Sequence, residues 1–192
     1  MAAYDILIGT GKLYVADTGT TFPTLDEDPA TTSGWRYVGP TADGIKVDFD
    51  ETINEFSSDQ DIGTVEAIRS EEKAMITANL FEATLENLAD VMSQSVTSIA
   101  AGSGTTGYKQ IGMSRGATVT KKAILFRANS PYGPYAGQYE LPYGYISGKV
   151  GMEYKKDGMV VVACEFHALV DPNATDTTEK FGRIKYGNAA AL

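Results

Sequence analysis

The sequence predicts a mainly β protein, a β-sandwich or half-barrel with one flanking α-helix. Three observations carry this. Glycine (20 residues) and tyrosine (11) are abundant, and helix-favouring residues do not collect into long runs, a balance that favours strands and turns. Apolar and polar residues alternate with period two where Ile45, Val47 and Phe49 interleave with Lys46, Asp48 and Asp50, which places the two kinds on opposite faces of a strand. Only one stretch shows helical spacing. With 192 residues, 43% of them hydrophobic, the chain has the material for one domain spanning 1–192 with a substantial core.

In chain order, Tyr4–Ile8 and Lys12–Val15 read as short strands broken by Gly9-Thr10-Gly11. Residues 17–34 are polar and rich in Thr, Asp, Pro and Gly, so they are expected to form a long loop of the functional or partner-ordered kind. A strand begins at Trp35–Val38, and the alternating strand at Ile45–Asp50 follows. Residues 51–70 carry Ile53, Phe56, Ile62, Val65 and Ile68 as isolated apolar positions among acids and serines, and are expected as a second loop. Ala74, Ile76, Ala78 and Leu80 share one face of a strand over 74–81.

The helix starts at Thr84. Leu85, Leu88, Ala89 and Met92 form one apolar stripe, with Leu85, Leu88 and Met92 expected to pack on the sheet. Thr84 is the expected N-cap and Glu86 suits the first turn. At about three turns the helix needs a sheet to dock on. Residues 95–116 are Gly/Ser/Thr-rich and read as a third loop. Strands follow at Thr118–Ala128 and Tyr139–Lys155, separated by the turn-rich Ser130-Pro131-Tyr132-Gly133-Pro134. Lys156-Asp157-Gly158 suits a tight hairpin turn, Met159–Val170 returns from it, and a last strand covers Lys180–Tyr186. That makes about eight to ten strands.

The net charge of −9 is concentrated. Residues 41–72 hold ten acids and two bases, Lys46 and Arg69, while the rest of the chain holds 15 acids and 14 bases. Such a chain does not grip a nucleic-acid backbone, which requires Lys and Arg to displace counterions. The acidic stretch reads either as a solvated face with a mobile loop, or as strands carrying acids away from the core beside an exposed edge that identical partners would pair. A single cysteine, Cys164, excludes an internal disulfide and a cysteine zinc cluster. The N-terminus lacks the pattern of a signal peptide, and no apolar run approaches the ~18–20 residues of a membrane helix. The expectation is a soluble protein made in the cytoplasm.

Catalytic patterns fail on inspection. Cys164 and His167 lie three apart in an expected strand, on opposite faces, and cannot act as nucleophile and base. Gly102-Ser103-Gly104-Thr105-Thr106-Gly107 matches the dinucleotide-binding glycine pattern, but no strand leads in, no useful helix follows, and Arg127 stands where an acid belongs. Asp59-Gln60-Asp61-Ile62-Gly63 lacks the further ligands of a calcium loop. Gly11-Lys12 lacks an upstream phosphate-loop glycine. Tyr132, Tyr135, Tyr139, Tyr143 and Tyr145 read equally as strand residues or as interface anchors. No enzyme, cofactor or metal is expected.

The order Gly34-Trp35-Arg36-Tyr37-Val38-Gly39, Gly44-Ile45-Lys46-Val47, an acidic segment with Asp59-Gln60 and Val65, a strand Met75–Phe81, and Glu82-Ala83-Thr84-Leu85-Glu86-Asn87-Leu88 opening a helix resembles the major tail tube proteins of long-tailed (siphophage-type) bacteriophages. The similarity covers about a third of the chain. It implies a virion protein, assembled in the host cytoplasm, whose six-membered rings stack into a hollow tail tube for DNA ejection. Implied partners are further copies of the chain, the tape-measure protein, tail terminator and tail-tip proteins, and DNA passing non-specifically through a typically acidic lumen, without membrane insertion. On this resemblance Lys46, Asp48, Asp50, Lys73, Thr77 and Asn79 are expected to face the lumen. Ile53, Phe56, Ile62 and Val65 are expected at contacts between subunits, in a segment partly disordered until assembly. Alternatives are another virion β-protein (capsid decoration or tail completion) and a lipocalin-like small-molecule-binding barrel, which would be monomeric and bind a ligand.

Overall fold

A computed structural model describes residues 9–152, 156 and 160–188. The strand expected at Tyr4–Ile8 and the turn expected at Asp157-Gly158 lie outside the described residues. The elements run β1 (Lys12–Asp17), β2 (Arg36–Tyr37), β3 (Thr41–Ser57), β4 (Thr64–Leu80), α1 (Leu85–Met92), β5 (Thr97–Ile99), β6 (Tyr108–Gln110), β7 (Lys121–Asn129), β8 (Ala136–Ser147), β9 (Val162–Ala168) and β10 (Arg183–Tyr186). The described residues are mainly β with one α-helix, the sandwich or half-barrel class that the alternation predicts.

One antiparallel sheet runs in the order β2-β1-β7-β8-β9-β4-β3, and β10 joins it at β8. β8 is where the sheet branches. β7 pairs along one edge of β8, while the other edge is shared by β10 over Gly137–Glu140 and by β9 over Gly144–Ser147. Two glycines permit the close approaches. A Cβ on Gly144 would stand 2.4 Å from the His167 carbonyl oxygen, and one on Gly182, at φ +133°, 2.0 Å from that of Glu140.

The branched sheet curls around a core of Leu13, Val15, Ile76, Leu80, Ile124, Leu141, Ile146, Val162 and Phe166. The alternation read in β4 holds: Ala74, Ile76, Ala78 and Leu80 are buried while Met75, Thr77 and Asn79 are half-buried. Cys164 sits in this core opposite Ala78, and burial pushes its thiol up to about 12. His167 projects from the other face of β9 and stacks on Tyr145 at 4.8 Å between ring centroids.

The helix closes one side of the core. Thr84 caps it by accepting a hydrogen bond from the Asn87 amide at 3.3 Å, and Ser93 ends it in the left-handed conformation at φ 55°. Leu88 and Val91 are buried and Leu85 packs beside them. Met92 is only partly buried, because the inner face is centred on Val91, which falls between Asn87 and Leu88, and the next residue turns about 100° away from that centre. Asn87 is buried as well, donating from Nδ2 to the carbonyls of Val38 (2.8 Å) and Glu82 (2.9 Å). Asp90 pairs with Arg36 and lies 3.6 Å from Lys122 Nζ, tying the helix to β2 and β7.

The three stretches expected as loops differ from one another. Residues 18–34 form no strand, yet they are not a free loop awaiting a partner. They cover the second face of β1 and β7, where Tyr14, Ala16, Trp35, Ala123 and Leu125 are buried with Phe22 against them. Residues 95–116 contain the small ribbon β5–β6. Residues 51–70 are the largest correction. Instead of a loop, they continue β3 and β4 as an antiparallel ladder, interrupted by register shifts, with a turn at 58–63. A two-stranded ladder pairs only its inward backbone groups and leaves the outward ones to water, so with both faces solvated it carries no strict alternation.

Candidate functional site

The β3–β4 hairpin has a root and an arm. β9 pairs with β4 from Leu80 only as far as Met75. From Ala74 to Thr64 the sole neighbour of β4 among the described residues is β3, and beyond Phe49 and Lys73 both strands are exposed on both faces. Register shifts lie between Thr52 and Ile53 and between Phe56 and Ser57, where an extra residue in β4 strengthens the local twist. Arg69 holds the arm's strands together, pairing with Glu51 and, at 2.8 Å, with Glu72. The adjoining Glu51 carboxylate raises the pKa of that guanidinium. Lys73 meets Glu71 at 3.1 Å.

Ile53, Phe56, Ile62 and Val65 all lie on this arm and are exposed, as are Phe49 and Ile68. Phe49 and Ile53 fall on one face, Phe56 on the other. Neither face is an inside. Six exposed apolar side chains on a two-stranded projection are an uncovered surface that a single chain does not bury.

Lys46, Asp48, Asp50, Lys73, Thr77 and Asn79 share one face of the root, as their pairings Lys46↔Thr77 and Asp50↔Lys73 require. Met75, Glu165, His167 and Tyr145 continue this face across β9 and β8. It lies opposite the core and is polar without being uniformly acidic. Lys46 pairs with Asp48 at 2.8 Å, His167 lies 3.2 Å from Glu165, and Lys121 stands 5.5 Å from the Tyr145 ring centre.

A third feature escaped sequence reasoning. Glu140 and Gln138 are fully buried on the loop-covered face of β8. Glu140 accepts hydrogen bonds from Arg183 Nε at 2.5 Å, Lys185 Nζ at 2.7 Å and Gln138. Gln138 donates to the Pro23 carbonyl at 2.9 Å and accepts from Arg127. Arg127 in turn donates to the carbonyls of Thr24 (3.1 Å), Leu25 and Glu27 (3.0 Å), and its burial lowers its pKa. This network fastens the 18–34 segment and β10 to β8. In the sequence Gln138 and Glu140 stand at period two in their strand, a pattern that ordinarily marks a solvent face, so their burial carries no signal of its own.

Cys164 and His167 occupy opposite faces of β9. Among the described residues no group of three or more His, Cys, Asp or Glu is placed to hold a metal ion. Gly102 and Thr105 form a tight bridge within a turn, with no strand-to-helix passage for a dinucleotide. No helix among the described residues is long and apolar enough to cross a membrane. A cleft of about 630 Å³ lies between the arm's root and β10, lined by Phe49, Arg69, Tyr139, Phe181, Arg183 and Ile184. A family model described as phage tail tube protein matches residues 5–179 of the chain. No curated protein matches it.

Proposed function

The chain belongs to the phage tail tube protein family, and from that premise we propose that it forms hexameric rings that stack into the hollow tube through which phage DNA is ejected. Members of this family are structural rather than enzymatic, so a tail component of the virion that associates with itself and with other tail proteins is the common ground. The observation that carries the finer reading is the β3–β4 arm. It holds exposed Ile53, Phe56, Ile62 and Val65 beyond the reach of its own core, and burial against neighbouring copies removes that apolar surface from water.

In this reading the face bearing Lys46, Asp48, Asp50, Lys73, Thr77 and Asn79 lines the lumen. Its acids limit adhesion of a passing polyanion, and its bases, Lys46 and Lys73, are each held by a carboxylate of the same chain. The tape-measure protein occupies that lumen before ejection, and terminator and tail-tip proteins close the two ends of the stack. Subunits assemble in the host cytoplasm. Negative-stain electron microscopy of the concentrated protein at moderate ionic strength tests the proposal. Six-membered rings or hollow tubes are the expected result; a monomer that instead binds a small apolar ligand in a cavity overturns it.

A further inference from the structure

Between Asp90 and Glu153 the sequence contains one acid, Glu140, and six bases: Lys109, Arg115, Lys121, Lys122, Arg127 and Lys149. The acid is buried, so the exposed charge contributed by this stretch is entirely positive. Three of the bases are occupied: Lys109 by Glu86, Lys122 by Asp17 and Asp90, Arg127 by the 24–27 backbone. Arg115, Lys121 and Lys149 form no ion pair among the described residues.

The fold gathers these three at one end of the sheet. Residues 111–120 lead into β7 and residues 148–149 leave β8, and because the two strands are antiparallel these segments meet. Arg115 Nη2 donates to the Gly148 carbonyl at 2.6 Å, next to Lys149. Gln94, just past the helix, donates to the Ser114 carbonyl at 2.5 Å, and the Thr120 amide to Ser93 Oγ at 3.2 Å. The same end exposes Met113 and Val119. It is a surface both basic and apolar.

The arm has the opposite charge and the same apolar character. Of the ten acids in residues 41–72, Asp43, Asp50, Glu55, Asp59, Asp61 and Glu66 form no ion pair among the described residues. Asp59 and Asp61 lie within the turn that carries fully exposed Ile62. Two arms repel each other, so arm-to-arm pairing is disfavoured, whereas an arm approaching the basic end is attracted.

We propose that the acidic arm of one copy docks on the basic end of a second copy, with Asp59 and Asp61 facing Arg115 and Lys149, and Ile62 seated against Met113 and Val119. This names the receiving surface for the arm and rests on the tube reading for the partner being another copy. Each subunit then gives one arm and receives one, a heterologous contact that closes into rings or propagates between them.

Charge reversal with rescue tests it. Asp59→Lys with Asp61→Lys, and separately Arg115→Glu with Lys149→Glu, should each raise the concentration needed for assembly by about tenfold or more, as like charges then face each other. The chain carrying all four substitutions should recover assembly, and an equimolar mixture of the two double variants should co-assemble. Sedimentation velocity reads assembly, and unchanged thermal melting of the free subunit shows that each variant folds. Reversed variants that assemble like wild type, or a fourfold variant no better than either pair, overturn the docking while leaving the tube reading intact. A wild-type chain that stays monomeric at high concentration overturns both.

Discussion

Arg183 and Glu140 are direct partners in the β8–β10 ladder, and Arg183 Nε reaches the Glu140 carboxylate at 2.5 Å. The carboxylate is fully buried while the guanidinium is part-exposed, so the two ends of the pair are unequal. Glu140 depends on its partners for charge compensation, whereas Arg183 retains water. The Glu140 carboxylate raises the pKa of that guanidinium.

Arg183→Ala alone should therefore cost about 1–2 kcal/mol, because Lys185 and Gln138 still satisfy the carboxylate. Arg183→Ala with Lys185→Ala should cost about 3–5 kcal/mol, since a buried charge loses both cations. Adding Glu140→Gln to that pair should restore part of the loss. Urea unfolding of wild type and the three variants reads this, and a triple variant no more stable than the double one counts against a buried carboxylate at the root of the effect.

Arg127 is the fastening of the 18–34 segment, through a planar fork that meets three backbone carbonyls and Gln138. Lysine offers a point charge in place of the fork. Arg127→Lys should cost about 1–3 kcal/mol and speed amide exchange in residues 18–34. Trp35, whose Nε1 donates to the Thr21 carbonyl at 2.9 Å, should report the change as a fluorescence shift. Exchange that stays as slow as in wild type would show that Phe22 and Pro23 hold the segment without it.

Tyr186 has a phenol pushed up to about 12 by burial and then by its hydrogen bond with Tyr139. The folded-state value lies above the unfolded 10.0, so this stabilisation is complete below pH 10 and disappears as pH rises from 10 to 12. Native absorbance titration should show a phenol ionising late, and Tyr186→Phe should flatten the stability loss across that window. Cys164, pushed up to about 12 by burial, should resist a thiol reagent at pH 8 until the chain unfolds.

The arm separates folding from assembly. Phe56→Ser with Val65→Ser should leave the thermal midpoint of the subunit nearly unchanged, because both side chains are exposed in the single chain. Ring or tube formation should fall sharply. Equal loss of both would place these residues in the fold of the free subunit.

If the root's outer face lines the lumen, Asp48→Lys with Asp50→Lys should permit tube assembly yet reduce infectivity, as DNA would then adhere to the wall. Phage assembly and infectivity both unchanged would remove that assignment.

The sequence by itself determined what depends on near neighbours. Period-two alternation placed Ile76, Ala78 and Leu80 in the core and Thr77 and Asn79 outside it. The spacing around Thr84 located the helix and its cap, and the three-residue step between Cys164 and His167 kept them on opposite faces. The charge concentrated in residues 41–72 was also legible, because charge is read without knowing where the chain goes. Tertiary structure decided what depends on distant partners. The strand partner of 51–57 is a return strand rather than a core, so its periodicity is weak and the arm read as a loop. Residues 18–34 appeared unstructured because what orders them, Arg127 and Gln138, stands about a hundred positions away. Glu140 could not be recognised as buried until Arg183 and Lys185 came beside it, since a carboxylate enters an interior only where the fold supplies its counter-charges.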